Sequence, residues 1–177
     1  MSNWNKVFKP IVVLCVICIV ITGALAATNS ATAPIIKAAK EEAERLARME
    51  LLPEADNFTQ VEGIAVENVN AVYAADNGTG YVITSTAKGY GGTMTVMTSF
   101  DPNGTIKQMK VTEAAETQGI GSNVANNAAY WANYAGKDGT APLALGTDVD
   151  AYAGATISSR ALNNAVNSAI AAYNAIP

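Results

Sequence analysis

The sequence predicts an α+β fold in which a single N-terminal transmembrane helix precedes a domain with an antiparallel sheet and flanking helices. Three observations carry this. No charged residue occurs between Lys9 and Lys37, a gap of 27 residues. The middle of the chain is a series of short alternating segments separated by turn sequences, the pattern of a meander. From Thr156 onward, Ile157, Ala161, Leu162, Ala165, Val166, Ala169, Ile170 and Tyr173 recur at the three-and-four spacing of one buried helical face.

The core of the charge-free gap, residues 11–27, is almost wholly apolar and long enough to cross the hydrocarbon layer as a helix. Lys6 and Lys9 precede it, so the positive-inside rule leaves the N-terminus in the cytoplasm and exports the rest. Ala24-Leu25-Ala26 also fits a signal-peptide cleavage site. The apolar character continues past it to Ile36, which favours an anchor, and either reading exports the remainder. Cys15 and Cys18 lie on one face of this segment, where a thiol packs as a small apolar group. Pro34 suits a helix start, and residues 35–52 read as an amphipathic helix with Lys37/Glu41, Lys40/Glu44 and Glu41/Arg45 pairs, ended by Pro53. The predicted organisation is residues 1–31 as cytoplasmic N-terminus and transmembrane helix, 32–56 as juxtamembrane stalk, and 57–177 as the extracytoplasmic domain.

In that domain residues 57–63 form a linker or short first strand, and 66–74 a strand. Asp76-Asn77-Gly78-Thr79-Gly80 is a turn before a strand at 81–87. Lys88-Gly89-Tyr90-Gly91-Gly92 breaks that strand, and a third runs over 93–100. Asp101-Pro102-Asn103-Gly104 is a tight turn before the return strand at 106–112. Ser122 is the predicted cap of a helix running to about Tyr134, with Val124, Ala128, Trp131 and Tyr134 inward. Residues 136–147 are irregular.

Composition restricts the chemistry. The chain of 177 residues carries a net charge of −4, and from Met49 onward twelve acidic residues face five basic ones. Such a surface argues against nucleic acid as a partner. There is no histidine, and both cysteines lie in the apolar segment. Ser-His-Asp and Cys-His nucleophile systems are therefore absent, as are the usual zinc ligand sets, and no metal site is expected. A redox function would need a borrowed cofactor. One stretch reads as an anion site. Asp150 to Gly154 is a turn of small residues with an acid in front, and Thr156 opens the last helix just behind it. The leading N–H groups of such a helix lack partners and carry its positive dipole end, so a phosphate fits there.

Asp150-x-x-x-Gly154-Ala155-Thr156 followed by Ser158-Ser159 resembles the flavinylation signature of the FMN-binding domain family. The resemblance extends through Gly89-Tyr90-Gly91-Gly92, Asp101-Pro102-Asn103-Gly104-Thr105-Ile106 and Glu116-Thr117-Gln118-Gly119-Ile120-Gly121, in the family's order. The N-terminal segment and Thr32-Ala33-Pro34-Ile35-Ile36 resemble the G subunits of Rnf ion-translocating electron transport complexes, relatives of the C subunit of the sodium-pumping NADH:quinone reductase. Ala153 stands where the family often has serine or threonine, Gln118 where it commonly has proline, and the histidine often found before the glutamate is missing.

The resemblance implies FMN joined to Thr156 by a phosphoester bond, made by a separate flavin transferase that uses FAD. Asp150 would be read by that transferase or would pin the loop. Ser158, Ser159 and the Ile157 amide would meet the phosphate, beside Gly154 and Ala155. Glu116, Thr117, Gly119 and Gly121 would lie near the ring or the ribityl chain. It implies an electron carrier with no turnover of its own, in a complex that couples ferredoxin:NAD+ electron transfer to Na+ or H+ translocation. Its partners would be the other subunits of that membrane complex. Rival readings are a free-standing anchored flavoprotein for extracellular electron transfer or a reductase, the quinone-reductase C subunit, and a non-redox binding module with an unmodified threonine.

Overall fold

The computed structural model describes residues 8–177. Lys6, on which the orientation argument partly rests, lies outside the described residues. The chain forms two units, one ending at Ala43 and one spanning Glu44–Pro177.

Helix α1, Lys9–Leu51, runs unbroken for 43 residues and is long and apolar enough to cross a membrane. Pro34 lies inside it rather than opening a second helix, which corrects the expected start at residue 35. An interior proline forfeits one N–H bond and crowds the carbonyl four residues back, a local loss that a ladder of this length outlasts. The helix ends just before Pro53, as its sequence predicts, and Lys37 and Glu41 pair along it at 3.7 Å.

The second unit is built on strands β1 Phe58–Gln60, β2 Val69–Ala75, β3 Tyr81–Lys88, β4 Thr93–Phe100 and β5 Ile106–Ala114. They pair antiparallel in chain order, the predicted meander. Asp101 fixes the last hairpin, its carboxylate accepting from the amides of Asn103 and Thr105 at 2.9 and 2.8 Å. Helices α2 Ser122–Ala125 and α3 Ala128–Trp131, then a 3₁₀ turn at Ala132–Tyr134, replace the single helix expected from residue 122. The break falls at Asn126-Asn127. Asparagine competes well for backbone groups outside a helix, and the Asn127 side-chain carbonyl caps α3 by accepting from the Tyr130 amide at 3.1 Å. Ser122 does not cap its helix; its hydroxyl accepts from Gly119 N–H at 2.8 Å, and Ala128 is exposed.

The sheet is covered on both faces, which is why almost every residue of β4 is buried. On one face lies α4, Thr156–Tyr173, whose Leu162, Ala165, Val166, Ala169 and Ile170 pack with Ile83, Met94, Val96 and Phe100. A fully buried leucine there contributes ~2 kcal/mol. Ile157 departs from this face and is 54% exposed, because the first turn of α4 projects among loops rather than over strands. Asn163 and Asn167 of α4 hold both backbone groups of Leu143, pegging the irregular segment. On the other face, Ala47, Leu51 and Leu52 at the end of α1 pack with Ala75, Val82 and Met97. The Ser99 hydroxyl donates to the Leu51 carbonyl at 3.0 Å, and Arg48 stacks on Tyr73 at 4.0 Å.

Candidate functional site

Three loops meet at the N-terminus of α4: the β3–β4 turn (89–92), the loop after β5 (115–121) and the turn before α4 (150–155). Gly154 holds φ at +81° with open space about it, a left-handed conformation that glycine adopts without strain. The chain thereby reverses into α4. Ala155 occupies the cap position and no side chain caps the helix, so its leading amides face outward with the positive end of the dipole. Thr156, the first helical residue, is exposed.

Around it opens a cleft of about 400 Å³, lined by Gly154, Ala155, Thr156, Ile157, Ser158, Tyr90 and Ile120. Tyr90, Ile120 and Ile157 are 69%, 52% and 54% exposed, three large apolar side chains lining the same cleft as Thr156. Such a patch beside an uncapped helix start suits a ligand with an anionic end and a flat apolar body. A second cleft of about 360 Å³, by Leu51, β5 and Trp131, suits an anion less. Its Lys107 and Lys110 are already paired with Glu54 and Glu50 at 2.5 Å.

The remaining residues singled out in the sequence take distinct places. Ser158 is buried and donates to Glu116 Oε2 at 2.7 Å. Ser159 is buried too, donating to the Ala155 carbonyl at 3.1 Å and accepting from the Tyr152 amide at 2.9 Å, so it braces the turn from inside. Glu116 is half-buried behind the cleft, and its Oε1 has no hydrogen-bond partner. Gly121 lies against that carboxylate, and Gly91 against the Ala115 backbone. Thr117 and Gly119 shape the loop and are exposed outside the cleft lining, Thr117 through its carbonyl accepting from the Ile120 and Ser122 amides. The Asp150 side chain is exposed, while its carbonyl accepts from the Tyr130 hydroxyl at 2.9 Å. Tyr130 in turn meets Tyr152 edge-on at 5.6 Å. Tyr134 is fully buried, and burial, followed by its neighbour Tyr130, pushes its hydroxyl well above the usual tyrosine range. The sequence reading missed Tyr90 and Ile120 as wall residues. The signal was there in a tyrosine set between glycines and an isoleucine set between two more.

Fold and site together define an FMN-binding domain, and residues 89–171 match the family of that description. The G subunit of a Na+-translocating ferredoxin:NAD+ oxidoreductase complex from Acetobacterium woodii is 31% identical over 97% of this chain and 93% of its own. The chain belongs to this family of G subunits of ion-translocating oxidoreductase complexes. The corresponding subunit of Methanosarcina acetivorans is 29% identical, covering 96% of both chains. That of a proton-translocating complex from Clostridium ljungdahlii is 25% identical over 96% of this chain and 92% of its own. The crystal structure of Shewanella oneidensis NqrC aligns over 66% of each chain with 24% identity and a TM-score of 0.49.

Proposed function

We propose that this chain is the electron-carrying flavoprotein subunit of a membrane complex coupling ferredoxin:NAD+ electron transfer to ion translocation, with FMN esterified through its phosphate to Thr156. The observation that carries this is the exposed Thr156 hydroxyl at an uncapped helix start, facing a cleft with apolar walls. FMN, when bound, supplies one-electron chemistry that the side chains of this domain lack. The chain's own part is to hold it. The first amides of α4 and its dipole favour the phosphate. Gly154 gives the turn that presents the threonine, and Tyr90, Ile120 and Ile157 exclude water from a flat apolar group. Electron tunnelling needs no substrate pocket or general acid, in keeping with a domain without histidine or cysteine.

In this reading α1 spans the membrane once with its N-terminus in the cytoplasm, the flavin domain is extracytoplasmic, and a flavin transferase that recognises the region of Asp150 completes the protein. An ester suits an exported site, where free FMN would diffuse away. Relatives named for sodium and for protons both align over nearly the whole chain, so the choice of ion is assigned to other subunits. The test is denaturing gel electrophoresis under ultraviolet light after co-expression with the transferase. A fluorescent wild-type band that vanishes in Thr156→Ala is the expected result; an unlabelled wild-type band sinks the proposal.

A further inference from the structure

Glu116 is enclosed by three groups. Its Oε2 accepts the Ser158 hydroxyl, and its side chain fills the space that a Cβ would need at Gly89 and at Gly121. Each of these is the chain neighbour of a wall residue: Gly89 of Tyr90, Gly121 of Ile120, Ser158 of Ile157. The carboxylate therefore lies directly behind the wall and ties its three pieces together. Its Oε1 is closed off from solvent and takes no hydrogen bond. A carboxylate oxygen closed off from water and left without a donor opposes folding, and native chains tolerate such a group where it serves a site. From a position one residue behind the lining, its charge acts on whatever occupies the cleft.

We propose that Glu116 is a positioning residue whose negative charge, held behind the Tyr90–Ile120–Ile157 wall with one oxygen unsatisfied, makes the flavin in the cleft harder to reduce. A fixed negative charge opposes the arrival of an electron nearby, so it lowers the midpoint potential. The inference rests on the proposal that FMN is held at Thr156.

The test is a spectroelectrochemical titration of the full chain in detergent, co-expressed with a flavin transferase. Glu116→Gln keeps the shape and an oxygen to accept from Ser158, but removes the charge. The expected result is a rise of about tenfold in the reduced-to-oxidised ratio at the wild-type midpoint, ~59 mV for a one-electron couple. Glu116→Asp keeps the charge and should stay near wild type even where the loops loosen. Ser158→Ala strips a donor from the carboxylate and should shift the midpoint down. A flavin-bearing Gln variant at the wild-type midpoint, equal shifts for Gln and Asp, or a rise in Ser158→Ala would each overturn the proposal. A wild-type chain without flavin would overturn the attachment beneath it, which the gel assay reads separately.

Discussion

Gly121→Ala is a sharp test of the loop geometry, because nothing about the backbone forbids it. Gly121 has φ −66° and ψ −29°, ordinary right-handed values for any residue. The obstacle is space. An added Cβ would run into Glu116 Oε2, and would stand 2.7 Å from Ser158 Oγ and 2.9 Å from Glu116 Cβ. Glu116 would have to move, and the Ser158–Glu116 bond would go with it. Losing a hydrogen bond to a charged acceptor costs about 1.5–3 kcal/mol. Overpacking by a methyl group costs about 1–3 kcal/mol, part of it relieved by the movement. The expected loss is about 3 kcal/mol. Gly119, two residues earlier, is the control: it has φ +81° and nothing within 4 Å of an added Cβ, so its alanine variant loses only about 1–2 kcal/mol to backbone strain. The assay is urea unfolding of the intact chain in detergent, followed by tryptophan fluorescence. The double variant Gly121→Ala/Glu116→Ala removes the obstructed side chain, so its loss should fall short of the summed single losses by more than about 1 kcal/mol. Additivity within ~0.5 kcal/mol would refute the steric reasoning.

Two further outcomes follow from the same geometry. Tyr134 ionises far less readily in the fold than in the unfolded chain, whose tyrosine has its ordinary value of 10.0. Its raised value contributes stability that is complete below pH 10 and lost as pH climbs toward the folded value, so the wild-type urea midpoint should drop above about pH 10. Tyr134→Phe should flatten that drop at a neutral-pH loss of about 1 kcal/mol or less, its bond to Asn163 being 3.4 Å long; identical alkaline slopes would contradict this. Ser99→Ala should cost about 1–3 kcal/mol in a thermal melt, because the Leu51 carbonyl and the Gln108 amide each lose a partner. An unchanged melt would mean that the end of α1 is held to β4 by packing alone.

Much of this was legible in the residues. Turn chemistry at Asp101-Pro102-Asn103-Gly104 and the alternation of 93–100 placed β4 without error, because local sequence decides both. The face of α4 from Ala161 to Ile170 was legible for the same reason. What escaped was tertiary. No periodicity could say that the first turn of α4 overhangs a cleft, so Ile157 was expected inside while it stands outside. The Asn126-Asn127 break was visible only as two capping-prone residues in a row, which a run of apolar spacing overrode. Of the site, the motifs named the turn and the threonine, but Tyr90 and Ile120 entered through the packing of separate loops. Ser159 looked like a phosphate donor by its position, and its hydroxyl is spent on the turn.

The end of α1 is also part of the domain's interior, and this fixes where the chain can be cut. A protease acting just before Glu44 would release a body with Leu51, Leu52 and Met97 still covered. One acting between Leu52 and Phe58 would strip that plug away and leave Val82 and Met97 bare on the sheet face, an invitation to stick to the next copy. Removal of the first 43 residues and integrity of the domain are thus separate events, decided by the last turns of one helix.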